Sequence, residues 1–307
     1  MKQIIRCFLL SLLLIVCCGC SSTATSRNAS QEKGVVVLDI GHFIGSGGAA
    51  TPGRVNGKII SECSFWYEYS YYTKKVIEDA GYTCVVTNRG NAPTKEPLLT
   101  YARRAGVVQL CHPDKNAARY PSKYHPDRVA SGMVSADYAI ERNAACIVFL
   151  HHNSTGGWTN GPSNSLIICN KFNGRPLADT IARTLENEIL NHRMPNGGRG
   201  CRTIVRCIDA ERSAGWLNAC DDSGIPAAVI EAAYLNNRAH AAYLAVDANA
   251  REYAESIGRG IVRYMRNGAL PQPRHIRADE NKPDQGSFGY AAESRRLNVP
   301  GAKRLVH

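Results

Sequence analysis

Apolar residues in this chain cluster into short strand-like runs, separated by stretches in which they recur every third or fourth position. The runs are Val35–Ile40, Thr83–Thr87, Ile147–Leu150, Ser165–Cys169, Thr203–Ile208 and Ala227–Ile230. Val35 to Leu38 is apolar at every position, as a strand is when both faces of its sheet are covered. The stretches between read as helices. Phe65–Ala80 ends at Gly81, the residue type favoured just past a helix terminus. Arg175–Asn191 has Pro176 in its first turn and Leu177, Ile181, Leu185 and Ile189 on one face. Ala248–Arg266 repeats Tyr253, Ile257, Ile261 and Met265 in the same way. Strands alternating with helices predict one α/β domain over about residues 34–267, with a mostly parallel, twisted sheet flanked by helices on both faces in the manner of phosphorylases and hydrolases.

Two segments break this rhythm. Residues 88–133 form a long connection with Pro93, Pro97, Pro113, Pro121 and Pro126; after Tyr101 it carries Arg103, Arg104, Lys115, Arg119, Lys123 and Arg128 against only Asp114 and Asp127. A connection of this length inside a domain is expected to be a lid, a binding loop or a disordered insert. Residues 268–307 are rich in Pro, Gly and charge without apolar periodicity and are expected to be disordered.

Candidate chemistry collects where the strand-like runs end, as it does in covered α/β sheets. GVVVLDIGH ends at His42, CIVFLHHN carries His151 and His152, and IPAAVIEAAYLNN carries Glu231. Glu62 opens the first long helix. Two imidazoles and one carboxylate make a zinc triad with the fourth position left for water, the layout of a hydrolytic site. Zinc brings the pKa of a bound water from about 15.7 to about 7 and polarises a carbonyl, and Glu231 is placed to relay the water's proton to a leaving amine. Each residue also has a plainer reading. His42 alone suits an ordinary hydrogen-bonded histidine, and Glu62 a solvated charge at a helix start. Between His151 and His152 the register favours His151, because His-x-Asn spacing puts His151 two residues before Asn153 and adjacent strand residues point to opposite faces. Asp39 is expected to orient the turn before His42 or to support a ligand; Asn153 either positions substrate or closes its strand. His112 and His125 are expected at the surface, with service of one as an extra ligand in a closed state as the alternative.

The amino terminus narrows the compartment. Lys2 and Arg6 precede the apolar run Phe8–Val16, and Gly19 stands before Cys20. The run is shorter than the ~20 residues of a membrane-spanning helix and reads as a signal peptide over residues 1–19. Gly19-Cys20 resembles the lipobox of bacterial lipoproteins, with Cys17 a departure from its usual leucine. The resemblance implies lipidation at Cys20, and Ser21 resembles the signal for an outer-membrane destination; ordinary secretion with cleavage among Ser21–Ser26 is the alternative. Residues 20–33 are polar and expected to be a flexible tether. Without Lys2 and Arg6 the 37 basic residues become 35 against 26 acidic ones, a net of +9. Outside the cytoplasm that charge suits peptidoglycan carboxylates or anionic lipid headgroups, and the export signal argues against nucleic acid. Of 12 cysteines, Cys84, Cys146 and Cys169 are expected as buried thiols, and Cys201, Cys207 and Cys220 as better bridge candidates. The absence of a CxxC pair argues against a thiolate zinc site.

The motifs VLDIGH, Glu62, LHHN, RPLADTIARTLENEIL and PAAVIEAAYLNN stand in the order and spacing of zinc-dependent N-acetylmuramoyl-L-alanine amidases, which the chain resembles over about Gly34–Arg266. The resemblance implies one Zn²⁺ per chain held by His42, Glu62 and His151, with Glu231 as the catalytic carboxylate and Asn153 near substrate. It implies cleavage of the amide between N-acetylmuramic acid and L-alanine in peptidoglycan, in the periplasm, by a lipid-anchored enzyme that is open to an activating protein partner. Phe43 and Ile44 depart from the glycines that usually follow the first histidine. SADYAIERNAA matches the family's Arg-containing helix, and the 88–133 insert resembles a variable segment that in some relatives blocks or shapes the cleft. Two other readings stand beside this one: a zinc carboxypeptidase acting on stem peptides, and a non-catalytic peptidoglycan-binding lipoprotein.

Overall fold

A computed structural model of the chain describes residues 34–42, 48–111, 120–130, 132–160, 165–191, 194, 203–207 and 215–267. The expected signal peptide, Cys20, the tether, His112, Cys201 and the 268–307 tail lie outside the described residues. In chain order the elements are β1 (Val35–Ile40), α1 (Glu62–Asp79), β2 (Thr83–Asn88), α2 (Glu96–Ala105), β3 (Val108–Gln109), β4 (Tyr120–Pro121), β5 (Val129–Ala130), α3 (Met133–Glu141), β6 (Cys146–Leu150), β7 (Ser165–Cys169), α4 (Arg175–Leu185), β8 (Thr203–Cys207), α5 (Gly215–Asp222), β9 (Ala227–Glu231), α6 (Arg238–Leu244) and α7 (Asp247–Asn267). Among the described residues, no helix is long and apolar enough to cross a membrane.

Seven strands form one sheet in the order β3-β2-β1-β6-β9-β7-β8. Strand periodicity divides its side chains cleanly. Val36, Leu38, Ile40, Val148, Leu150 and Ile230 face α1, α4 and α7; Val37, Ile147, Phe149, Ile168 and Val229 face α3 and α5. Both faces are therefore dry, which is why the strands are apolar without alternation. The sheet is mostly parallel, but β7 runs antiparallel to β9 and pairs in parallel with β8. The cause lies after β6: residues 151–160 form no helix, so the chain enters β7 from the end of the sheet where β6 finished. Helix α4 closes in a π-turn, Glu186–Leu190, whose wider repeat buries Ile189 and Leu190 side by side.

The 88–133 segment differs from the long connection the prolines predict. It contains α2, the edge strand β3 and a β4–β5 ribbon. The ribbon is pinned to α3 and α5: Ser122 Oγ and the Lys123 amide donate to Asp137, and Arg128 pairs with Asp222 at 2.8 Å. His125 is not a free surface residue, since its Nε2 lies 2.7 Å from Ser223 Oγ. Local pattern hid these elements because they are short and rest on neighbours distant in sequence. Cys84, Cys146, Cys169 and Cys220 are buried and not joined in a disulfide. The expectation of Cys220 as a bridge partner is corrected by its position on the face of α5 that packs into the apolar layer.

Candidate metal centre

Three neighbouring parallel strands bring the site together at their carboxyl ends. The registers Ile40↔Leu150 and Leu150↔Ile230 put the residues that follow β1, β6 and the end of β9 at one level; these are Gly41-His42, His151 and Glu231. Glu62 enters from the side as the first residue of α1. That helix starts where it does because the Ser61 hydroxyl accepts from the Ser64 amide as an N-cap.

Glu62 is not a solvated charge but 2% exposed. Its Oε2 accepts the Ala49 amide at 2.7 Å, its Oε1 accepts the His152 amide at 3.0 Å, and the same two oxygens lie 3.3 Å from His42 Nε2 and 2.7 Å from His151 Nδ1. The two imidazoles meet edge to face at 5.0 Å. Burial opposes the Glu62 charge, yet the imidazoles of His42 and His151 hold this carboxylate well below the usual carboxylate range. Burial likewise pushes the proton affinity of His151 down, against the pull of Glu62, which favours the neutral imidazole with one nitrogen lone pair.

Two glycines let the backbone come this close. A Cβ on Gly41 would fall 2.1 Å from the His151 ring, and one on Gly48, whose φ is +92°, would fall 2.9 Å from His42 Cγ. The turn at Gly41 is held by β2. Asn88 Nδ2 donates to the carbonyls of Ile40 and His42, both at 2.9 Å; Asn88 Oδ1 accepts the Tyr67 hydroxyl and the Gly90 amide. Arg89 donates to the Gly41 carbonyl. Asp39, which the sequence suggested for this turn, points to the opposite face and accepts the Ser135 hydroxyl on α3. The alternation of strand side chains accounts for the difference; Asn88 reaches the turn from the end of β2, in register with Ile40, a pairing that no local pattern reveals.

His151 and His152 separate as adjacent strand residues must. His152 turns away from the cluster into an aromatic box, stacked on Trp66 at 5.1 Å with Phe65 edge-on at 4.6 Å, and burial pushes its pKa down to about 3. Asn153 closes the strand: its amide donates to Ala233, its carbonyl accepts from Leu235, and its Oδ1 caps the Ser154 amide. Glu231 is 7% exposed and its Oε2 has no hydrogen-bond partner. Burial, and then the negative charge of Glu62, raise its pKa well above the ordinary value.

The donor set fits a divalent metal of the zinc type. Among the described residues, His42, Glu62 and His151 each offer one ligand atom, and these atoms lie within 4.8 Å of one another. Two imidazoles plus one carboxylate is the composition of open zinc sites, and a buried carboxylate with an unpaired oxygen beside them needs a nearby positive charge.

In a covered, mostly parallel α/β sheet, the carboxyl ends of the strands are where such a cluster of reactive side chains collects. Residues 36–263 match the model of the family described as N-acetylmuramoyl-L-alanine amidase, and the chain belongs to that family. It is an amidase-type hydrolase of cell-wall peptidoglycan by that membership. No curated protein matches the chain. Among solved structures it is similar to the amidase AmiC2 of Nostoc punctiforme, at 17% identity over 76% of this chain and 98% of that one, TM-score 0.47. It is also similar to the CwlD amidase of Clostridioides difficile solved in complex with the GerS lipoprotein, at 16% identity over 76% and 98% of the two chains, TM-score 0.47. The catalytic domain of the amidase CwlV of Bacillus (Paenibacillus) polymyxa follows, at 15% identity over 76% and 98%, TM-score 0.47.

Proposed function

We propose that this protein is a zinc-dependent N-acetylmuramoyl-L-alanine amidase that frees the stem peptide from N-acetylmuramic acid, with one ion per chain held by His42, Glu62 and His151. The observation that carries the reading is the Glu62 carboxylate, fixed by the Ala49 and His152 amides so that its oxygens face both imidazoles, with Glu231 buried alongside. When bound there, zinc supplies a polarised carbonyl and a water acidified to near neutral pH. The chain's own residues do the rest. Glu231 Oε2 takes a proton from the attacking water and returns it to the departing amine. A carboxyl raised by burial suits this role, because it must hold a proton between two steps near neutral pH. The covered sheet and the aromatic box around His152 keep bulk water from the inner side of the cluster.

The proposal includes export and a lipid anchor at Cys20, with the enzyme in the periplasm and tethered to the outer membrane, which the charged leader, the short apolar run and Ser21 support. The domain 34–267 then works on peptidoglycan at the end of the 20–33 tether. A C. difficile relative was solved with a lipoprotein partner; an activating protein for this chain is part of the proposal only as a compatible partner.

Mass spectrometry of digested muropeptides tests the reading. Loss of whole stem peptides from the glycan supports it; loss of one terminal residue assigns a carboxypeptidase, and no product with zinc bound assigns a binding protein. Labelled fatty acid should be incorporated into the full chain and not into Cys20→Ala.

A further inference from the structure

Three chain segments leave the cluster and meet again at one place on its rim. The loop 48–61 leads into Glu62, the loop 151–160 follows His151, and residues 232–238 follow Glu231. The second and third are knit together: the Thr155 amide donates to Asn236 Oδ1, Asn236 Nδ2 donates to Thr155 Oγ1 and the Gly157 carbonyl, the Thr159 amide donates to the Asn236 carbonyl and the Arg238 amide to the Thr159 carbonyl. On this ledge the Arg238 guanidinium lies over the Trp158 indole, 4.8 Å from the ring centroid. The first loop closes on the same ring, since a Cβ on Gly53 would lie 3.5 Å from Trp158 Nε1. Arg54, next in the chain, has its guanidinium anchored on the Gly57 carbonyl at 2.7 Å.

We propose that Arg238, seated over Trp158, recognises a free carboxylate of the stem peptide and makes this ledge a specificity subsite. The inference rests on the amidase reading above. Arg238 is exposed, and among the described residues no carboxylate pairs with it. A guanidinium stacked on an indole keeps its N–H edge outward and its plane fixed, which is the geometry that binds a carboxylate through two parallel hydrogen bonds. The cation–π contact also lowers the entropy lost when the ligand docks. An amide in place of the carboxylate offers one acceptor and no charge, so the ledge discriminates free acids from amidated stems.

The test uses the zinc-loaded full chain and two matched muropeptides, one with its stem carboxylates free and one with them amidated. The wild type should prefer the free acid about tenfold, chiefly through KM. Arg238→Gln should lose that preference with kcat on the amidated substrate unchanged, Arg238→Lys should restore part of it, and Trp158→Leu should weaken it. Equal KM for both substrates in the wild type, or a preference that survives Arg238→Gln, overturns the proposal. Should neither substrate be cleaved, the amidase reading is what fails, and binding still decides the subsite. Trp66 and Trp216 are buried, at 0% and 3% exposed, so a ligand-induced change in tryptophan emission that is lost in Trp158→Leu reports the ledge. Quenching by the free-acid stem peptide and not by the amidated one, absent in Arg238→Gln, supports the inference; equal response to both sinks it.

Discussion

The carboxylate of Glu62 lies 2.7 Å from His151 Nδ1, with both side chains almost wholly buried. This contact joins a carboxylate to a neutral imidazole. Two backbone amides, from Ala49 and His152, fix the carboxylate from the far side, so its direction is set before any metal arrives. Preorganisation of this kind is what distinguishes a ligand from a loose surface acid.

Glu62→Gln should therefore cost both metal and stability. The amide presents N–H toward donors that need an acceptor, and burying mismatched donors costs roughly 2–3 kcal/mol. Elemental analysis should find the variant without stoichiometric metal, and its melting temperature in chelator should fall by several degrees. Full metal occupancy in Glu62→Gln would remove Glu62 from the ligand set.

Gly41→Ala tests the close approach of β1 to His151. The added methyl would sit 2.1 Å from the imidazole, and the ring cannot give way without leaving Glu62. Loss of metal binding together with a destabilisation of about 1–3 kcal/mol is expected, measured by urea denaturation and by titration with zinc. A variant that binds metal like the wild type would show that the ring has room to move.

For Glu231 the sign follows from its raised pKa. The folded form holds a proton more tightly than the unfolded chain, so this group's contribution to stability is present at low pH and is lost as pH rises past the ordinary carboxylate value. Glu231→Gln removes that loss. In chelator at neutral pH the variant should melt higher than the wild type, while turnover falls about 10²-fold or more with zinc still bound. Retained turnover would exclude Glu231 as the proton relay.

His240 sets an acid limit to stability. Burial holds its pKa down at about 4, and its Nδ1 accepts the Tyr234 amide at 3.1 Å. Because the unfolded imidazole titrates near ~6.5, the folded chain binds fewer protons between the two values; stability is full above about pH 6.5 and falls by roughly 3 kcal/mol on the way to pH 4. His240→Asn keeps an acceptor for Tyr234 and cannot be charged. Denaturation midpoints from pH 7 to 4.5 should fall less steeply in the variant, and parallel slopes would contradict this account.

The fold and the candidate centre were unequally legible along the chain. Apolar runs located the six longer strands and three helices, because a strand buried on both faces leaves an unbroken apolar signature. The same runs delivered His42, His151 and Glu231 to strand ends, since chemistry that follows a strand directly is local in sequence. What came from across the fold was not legible. Asn88 rather than Asp39 holds the turn at Gly41, through bonds that span 46 and 48 residues. The orienting donors of Glu62 are backbone amides, which every residue carries and no side-chain pattern reveals. A reversed β7, a folded and pinned 88–133 segment and the Trp158–Arg238 ledge depend on contacts between elements that periodicity describes one at a time. Sequence alone thus determined which residues are apolar neighbours within an element and which reactive groups end each strand, because those properties repeat along the backbone; only tertiary structure decided how carboxylate, imidazoles and rim residues face one another, because that is set by which distant elements pack together.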